Sequence, residues 1–211
     1  MNSPHARSGR RHAPRPGRRL ASGYGMIEVL VSMLVLFLGL LGLIGLQAKA
    51  QHAQLESYQR AQALVLLQDM VDRMNTNRKD AHDKKYDQVS VGVGPDGTPS
   101  IADCSTKTGW NLDACEWGNL LNGAAEAKDS AKVGAMIGAR GCISYGGTEL
   151  SDSKGATLTG TGVYTITVTW QGMTPTTSPP TTLACGKGAY GSESLRRVAS
   201  STLRIAALGA L

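Results

Sequence analysis

Apolar residues run almost unbroken from Gly23 to Leu46 (GYGMIEVLVSMLVLFLGLLGLIGL), with one acid, Glu28, near the start and no charge from Val29 onward. A run of about 18 such residues is enough for a membrane-spanning helix. Beyond Leu46 the pattern becomes amphipathic. Ala63, Leu67, Met70 and Met74 lie 4, 3 and 4 apart, which makes one helical stripe with Leu64 and Val71 beside it. Gln68, Asp69, Asp72 and Arg73 fall mostly off that stripe, and Asp69 can pair with Arg73 one turn on. The stripe reads as packing rather than as a cofactor site. No proline interrupts Tyr24 to Asn77, so the pattern predicts one helix of about 80 Å at ~1.5 Å per residue. Gly39, Gly42 and Gly45 recur every third residue in its apolar half. They serve either close packing between helices or a loosening of the helix, since each costs roughly 1 kcal/mol in a helix interior.

Past Asn75-Thr76-Asn77 the helical signal stops. Arg78 to Lys85 is charged and reads as surface. Val89, Val91 and Val93 alternate with small residues before the turn signature Gly94-Pro95-Asp96-Gly97, which predicts a short strand. A weak helical pattern (Leu112, Trp117, Leu120, Leu121) spans Thr108 to Ala127, with Asn122-Gly123 as a stop. The remainder predicts antiparallel strands. Cys142 to Tyr145 is one. The clearest is Tyr164 to Trp170, where Tyr164, Ile166, Val168 and Trp170 alternate with three threonines. Its apolar face is expected against the helix stripe. Met173 to Leu183 is a Pro/Thr/Ser-rich loop, and Leu195 to Leu208 resumes strand around Leu203, Arg204, Ile205 and Ala207.

Charge changes the picture. The 211-residue chain has a net charge of +6, yet Arg7, Arg10, Arg11, Arg15, Arg18 and Arg19 all precede the apolar run with no acid among them. Without those six, 16 basic residues face 16 acids, so no global field steers the chain to nucleic acid. The arginines mark the cytoplasmic side of the helix and place the globular part outside the inner membrane. Residues 1–23, which include His5 and His12, cannot bury a core. Cys104, Cys115, Cys142 and Cys185 all follow the apolar run, in an oxidising space where four cysteines suggest disulfides. Spacing does not choose the connectivity. Cys104–Cys115, closing the loop before the short helix, and Cys142–Cys185, tying the loop after the clearest strand to the first sheet strand, are favoured. Zinc is the rival, but there is no C-x₂-C pair and only His82 nearby. No metal site, cofactor or catalytic constellation is expected. His52 and His82 stand apart, and Gly-x-Ser-x-Gly, His-Glu-x-x-His and P-loop patterns are absent.

Three readings compete for the apolar run. A cleaved secretory signal usually has a shorter core, roughly 7–15 residues. A plain anchor leaves Glu28 without a role. The third uses every feature: Gly23-Tyr24-Gly25-Met26-Ile27-Glu28-Val29-Leu30-Val31 resembles the class III signal shared by type IV pilins and type II secretion pseudopilins. That resemblance implies cleavage by a prepilin peptidase between Gly23 and Tyr24, N-methylation of Tyr24, and an assembly role for Glu28 as fifth residue of the mature chain. Tyr in place of Phe and Gly25 in place of Thr are mild departures. Gly before the cut lets a protease approach the backbone. A carboxylate near hydrocarbon is a functional candidate by default, and the new α-amine at Tyr24 would be its partner.

Ala61–Asn77 (AQALVLLQDMVDRMNTN), ARGCISY at 139–145, YTITVTWQGMTP at 164–175, ACGKGAYG at 184–191 and LRRVASSTLRI at 195–205 are similar to the PilV-type minor pilins. The resemblance implies an α+β, type IV pilin-like fold, a long N-terminal helix packed on a C-terminal antiparallel sheet. Its parts would be a cleaved leader (1–23), a long helix (24–77, with 24–46 in the membrane or filament core) and a periplasmic domain (78–211). It implies a minor pilin that primes pilus assembly from the inner membrane with other minor pilins, the major pilin and a tip adhesin. A type II secretion minor pseudopilin is the alternative. A membrane-anchored enzyme lacks its catalytic residues. A DNA-uptake role would need Lys107, Lys132, Arg140, Lys187, Arg196, Arg197 and Arg204 to form a surface patch.

Overall fold

A computed structural model describes residues 25–93, 102–124, 127–128, 131–132 and 136–206. The leader, Gly23, Tyr24, the turn at 94–97 and Ala207 lie outside the described residues. The first element is α1, Gly25–Thr76, 52 residues of continuous helix. Then follow α2 (Arg78–His82), β1 (Ser90–Gly92), α3 (Trp110–Leu121), β2 (Ala127–Lys128), β3 (Ala131–Lys132), β4 (Arg140–Gly146), β5 (Leu150–Ser151), β6 (Thr157–Leu158), β7 (Val163–Gln171) and β8 (Arg196–Arg204). The chain divides into two compact units between Ala48 and Lys49.

In the second unit, four strands form one antiparallel sheet in the order β1-β4-β7-β8. β2 pairs with β3 and β5 with β6 as separate two-stranded hairpins. This is the α+β plan that the resemblance implies. The stripe on α1 supplies one wall of the core: Ala63, Leu67, Met70 and Met74 are buried, with Leu66 beside them. Leu64, next to the stripe in sequence, points outward instead. From the sheet come Ile143 on β4 and Tyr164, Ile166, Val168 and Trp170 on β7, all buried. Ile143 faces Ile166 across the ladder, a cross-strand apolar pair of the kind that stabilises sheets.

α3 inserts its indole between α1 and the sheet. Trp117 is fully buried, and its Nε1 donates to the Leu66 carbonyl at 2.8 Å. The ring lies against Gly141 on β4, where a Cβ would stand 2.4 Å from Trp117 Cη2. Only glycine fits there. The start of α3 is held from α2, because the Trp110 amide donates to Asp80 Oδ2 at 3.0 Å. A carboxylate suits the positive end of a helix. Lys85 at 2.8 Å and that amide hold the Asp80 carboxyl below its usual pKa.

One expectation needs correction. Arg78 to Lys85 is not all surface: Ala81 is fully buried, and its carbonyl accepts from the Tyr164 hydroxyl at 2.6 Å. Charged neighbours on the solvent side of one short helical turn hide that single inward position. The threonine face of β7 is covered too. Thr167 and Thr169 are buried as well as their apolar neighbours. A second layer covers them. The chain after β7 returns across this face and is held by a disulfide between Cys142 and Cys185, with Cα atoms 5.9 Å apart. Thr169 Oγ1 lies 2.9 Å from the Tyr190 hydroxyl, which donates to the Gly138 carbonyl at 3.0 Å. A second disulfide joins Cys104 to Cys115 on α3.

Candidate functional site

The first unit holds the feature most in need of explanation. From Met26 to Leu46, sixteen large apolar side chains are at least half exposed. An 18-residue window here has a mean hydropathy of 2.8 and none of it is buried. Burying each such side chain is worth roughly 1.5–3 kcal/mol, so tens of kcal/mol favour removing this surface from water. The helix is long and apolar enough to cross a membrane.

Glu28 sits in the first turn of this helix, where a negative charge complements the helix dipole. It is exposed on an otherwise uncharged surface. Ser32, one turn on, donates its hydroxyl to the Val29 carbonyl at 3.0 Å and so hides its own polar group within the helix. Gly39, Gly42 and Gly45 meet nothing within 4 Å of a built Cβ. Packing inside this chain therefore does not require them. Gly23 and Tyr24 lie outside the described residues.

In the second unit the charged side chains are mostly occupied. Glu56 on α1 accepts from the amides of Met173 and Thr174 at 3.0 and 3.2 Å and pairs with Arg197 on β8 at 3.1 Å. Partial burial pushes its carboxyl up, but these amides and Arg197 more than reverse that, and its pKa is lowered. Glu149 pairs with Lys84 at 2.7 Å, accepts from the Tyr145 hydroxyl at 2.7 Å and from the Gly160 amide at 3.0 Å. Those partners, Lys84 first, pull its pKa from 4.5 down to about 2. Arg73 pairs with Asp69 at 2.8 Å and Glu116 at 2.5 Å. Sequence reasoning found the Asp69–Arg73 pair and missed the others. Glu56 reaches partners 117 to 141 residues away, and no local pattern announces them.

Three of the basic residues considered for nucleic acid are engaged within the chain. Arg196 is 1% exposed and bound to Glu193 and to the carbonyls of Leu183 and Cys185. Arg197 is held by Glu56, and Arg204 donates to the carbonyls of Thr148 and Thr161. The Lys132 side chain lies outside the described residues. All four cysteines are bridged, so none is left as a thiolate ligand for zinc. Among the described residues, no three His, Cys, Asp or Glu side chains gather as a metal site.

Over residues 45–115 the chain is similar to the family described as Tt1218-like, type IV pilin Tt1218. The match covers roughly a third of the chain, from the end of the apolar run into the first half of α3. No curated protein and no solved structure matches it significantly. The family similarity supports a pilin role in general and association with other pilins.

Proposed function

We propose that this chain is a minor pilin of the PilV type, a structural subunit rather than a catalyst, that primes assembly of type IV pili. The observation that carries the reading is Glu28: one acid in the first turn of α1, whose exposed apolar half carries no other charge and whose second half belongs to a disulfide-braced α+β domain. In this reading a prepilin peptidase cuts between Gly23 and Tyr24, and Tyr24 is N-methylated. The apolar half of α1 anchors the subunit in the inner membrane with the domain in the periplasm. Extraction into a filament then moves that half from lipid to a core of like helices, two environments of similar polarity. Glu28 is costly in either one unless it is paired. The α-amine at Tyr24 of a neighbouring subunit is the partner, and this pairing sets the register. Other minor pilins, the major pilin and a tip adhesin are the neighbours. Similarity of the segments at 61–77, 139–145, 164–175, 184–191 and 195–205 to PilV-type chains favours the pilus over a type II secretion machine.

Intact mass and N-terminal sequencing of the membrane-extracted protein test this. The expected chain begins at methylated Tyr24. Recovery with the leader attached, or as a soluble species trimmed beyond Leu46, would falsify the reading. In the same preparation Glu28→Ala is expected to be cut normally yet to leave cells short of pili. Normal piliation with that variant as the sole copy removes the assigned role of Glu28.

A further inference from the structure

The four-stranded sheet ends on one side at β1, three residues long, and on the other at β8, nine residues long. The Gly172 amide donates to the Leu195 carbonyl at 2.7 Å. Antiparallel alternation then turns the N–H and C=O groups of Arg197, Ala199, Ser201 and Leu203 towards β7, and those of Val198, Ser200 and Thr202 away from the sheet. Among the described residues nothing pairs with these outward groups. Ser200 and Thr202 are exposed.

Natural sheets guard a free edge with a very short strand, a charge, a proline or a bulge. β1 has the first of these. β8 has none along its outward run: Val198 to Leu203 reads VASSTL, and the register with β7 is unbroken from Arg196 to Arg204. This edge is an open ladder for one more strand.

Both ends of the ladder carry positive charge. Arg204 is exposed; its guanidinium donates to the Thr148 and Thr161 carbonyls and meets no carboxylate among the described residues. At the other end, Val198 and Arg60 of α1 line one open cleft of about 330 Å³. Arg60 is exposed too and makes no ion pair among the described residues. Arg197 beside it is already neutralised by Glu56. The run from Val198 to Arg204 spans about 20 Å at ~3.3 Å per residue. A second copy fits this edge poorly. An antiparallel pair of β8 strands centred on Ser200 sets Arg204 across from Arg196, and an in-register parallel pair sets Arg204 beside Arg204. Like charges directly opposite destabilise a strand pair.

We propose that the outward edge of β8 is a strand-addition site for an extended segment of another protein, uncharged in its middle and acidic at both ends, with the acids about six residues apart. Main-chain hydrogen bonds from Val198, Ser200 and Thr202 hold the segment, and Arg60 and Arg204 select it by charge. The site stands on the sheet alone and does not rest on the pilus assignment.

The probe is a seven-residue peptide, acetylated and amidated, with glutamate at both ends and alternating threonine and valine between them. Full-length protein in detergent micelles is followed by amide hydrogen exchange. Without peptide, the Val198, Ser200 and Thr202 amides are expected to exchange fast and those of Ala199 and Ser201 slowly. With peptide at about ten times its Kd, exchange at the first three slows about tenfold, and the other two do not change. Glutamine at both peptide ends weakens binding about two- to tenfold, a difference that about 0.5 M salt removes. Ser200→Pro deletes an outward donor and no ladder bond, so binding is lost while the unfolding temperature stays near wild type. Thr202→Pro has the same effect and carries the test where Ser200→Pro unfolds. The proposal is overturned by exchange that stays fast up to the solubility limit of the peptide, by equal binding of the two peptides, or by outward amides already slow in the free protein. Slowing that rises with protein concentration alone shows a second copy on the edge and overturns it as well.

Discussion

Glu149 carries the most perturbed carboxyl among the described residues of the second unit. Lys84, Tyr145 and the Gly160 amide all favour its charged form and bring its pKa to about 2 from 4.5. Because the folded value is the lower one, the contribution to stability is complete above about 4.5 and is lost as pH falls towards 2. Glu149→Gln removes this dependence. In urea unfolding followed at pH 7 and pH 3, wild type is expected to exceed the variant at pH 7, and the gap should narrow at pH 3. A gap that is equal at both values would show that the Lys84–Glu149–Tyr145 group is not linked to folding. The same group explains a backbone oddity: Lys84 has φ of 61°, an unfavourable setting for a side chain other than glycine. In that setting its ammonium reaches Glu149 and lies 4.8 Å from the centre of the Tyr145 ring.

Between elements, the tightest fit is that of α3 on β4. Trp117 is pinned to α1 by its indole N–H, so it cannot retreat from Gly141. Gly141→Ala would place a Cβ 2.4 and 2.5 Å from two ring carbons and 2.7 Å from Leu121 Cδ1. Overpacking of this kind typically costs about 1–3 kcal/mol. Trp117→Phe shortens the ring, so the double variant is expected to be more stable than the sum of the two single losses predicts, as read from a double-mutant cycle in urea. Strict additivity would mean that the two residues do not meet. The elements also show what was legible beforehand. Ala63, Leu67, Met70 and Met74 keep one helical period over three turns, and Tyr164 to Trp170 keeps a period of two, so both core faces could be read directly. Ala81 and Tyr86 could not, since each is a single buried position among charged residues. Burial of Thr167 and Thr169 was equally hidden, because the layer above them arrives from about twenty residues further on. Glu28 stood out by its charge alone, whereas the grip of Glu56 on Met173, Thr174 and Arg197 depends on chain return that no local pattern records.

On the scale of the whole molecule, the greasy half of α1 and the braced domain place different demands on their surroundings. The apolar helix asks only for a medium without water. The domain asks for an oxidant as well, since its outer layer hangs on Cys142–Cys185, which closes a stretch of 43 residues. Bridges over such stretches are worth about 2–4 kcal/mol. A Cys142→Ser, Cys185→Ser variant is expected to unfold at lower urea by about that amount, with faster amide exchange along β7 at Thr167 and Thr169. Unchanged exchange there would detach the bridge from the outer layer. In the pilin reading this separates two moments in the life of a subunit. Insertion can proceed as soon as the chain leaves the ribosome, but display of the segment from Thr174 to Leu183 waits until its thiols have met the oxidising side. In that reading, a subunit recruited before this bond closes would enter the fibre with its outer layer less firmly held.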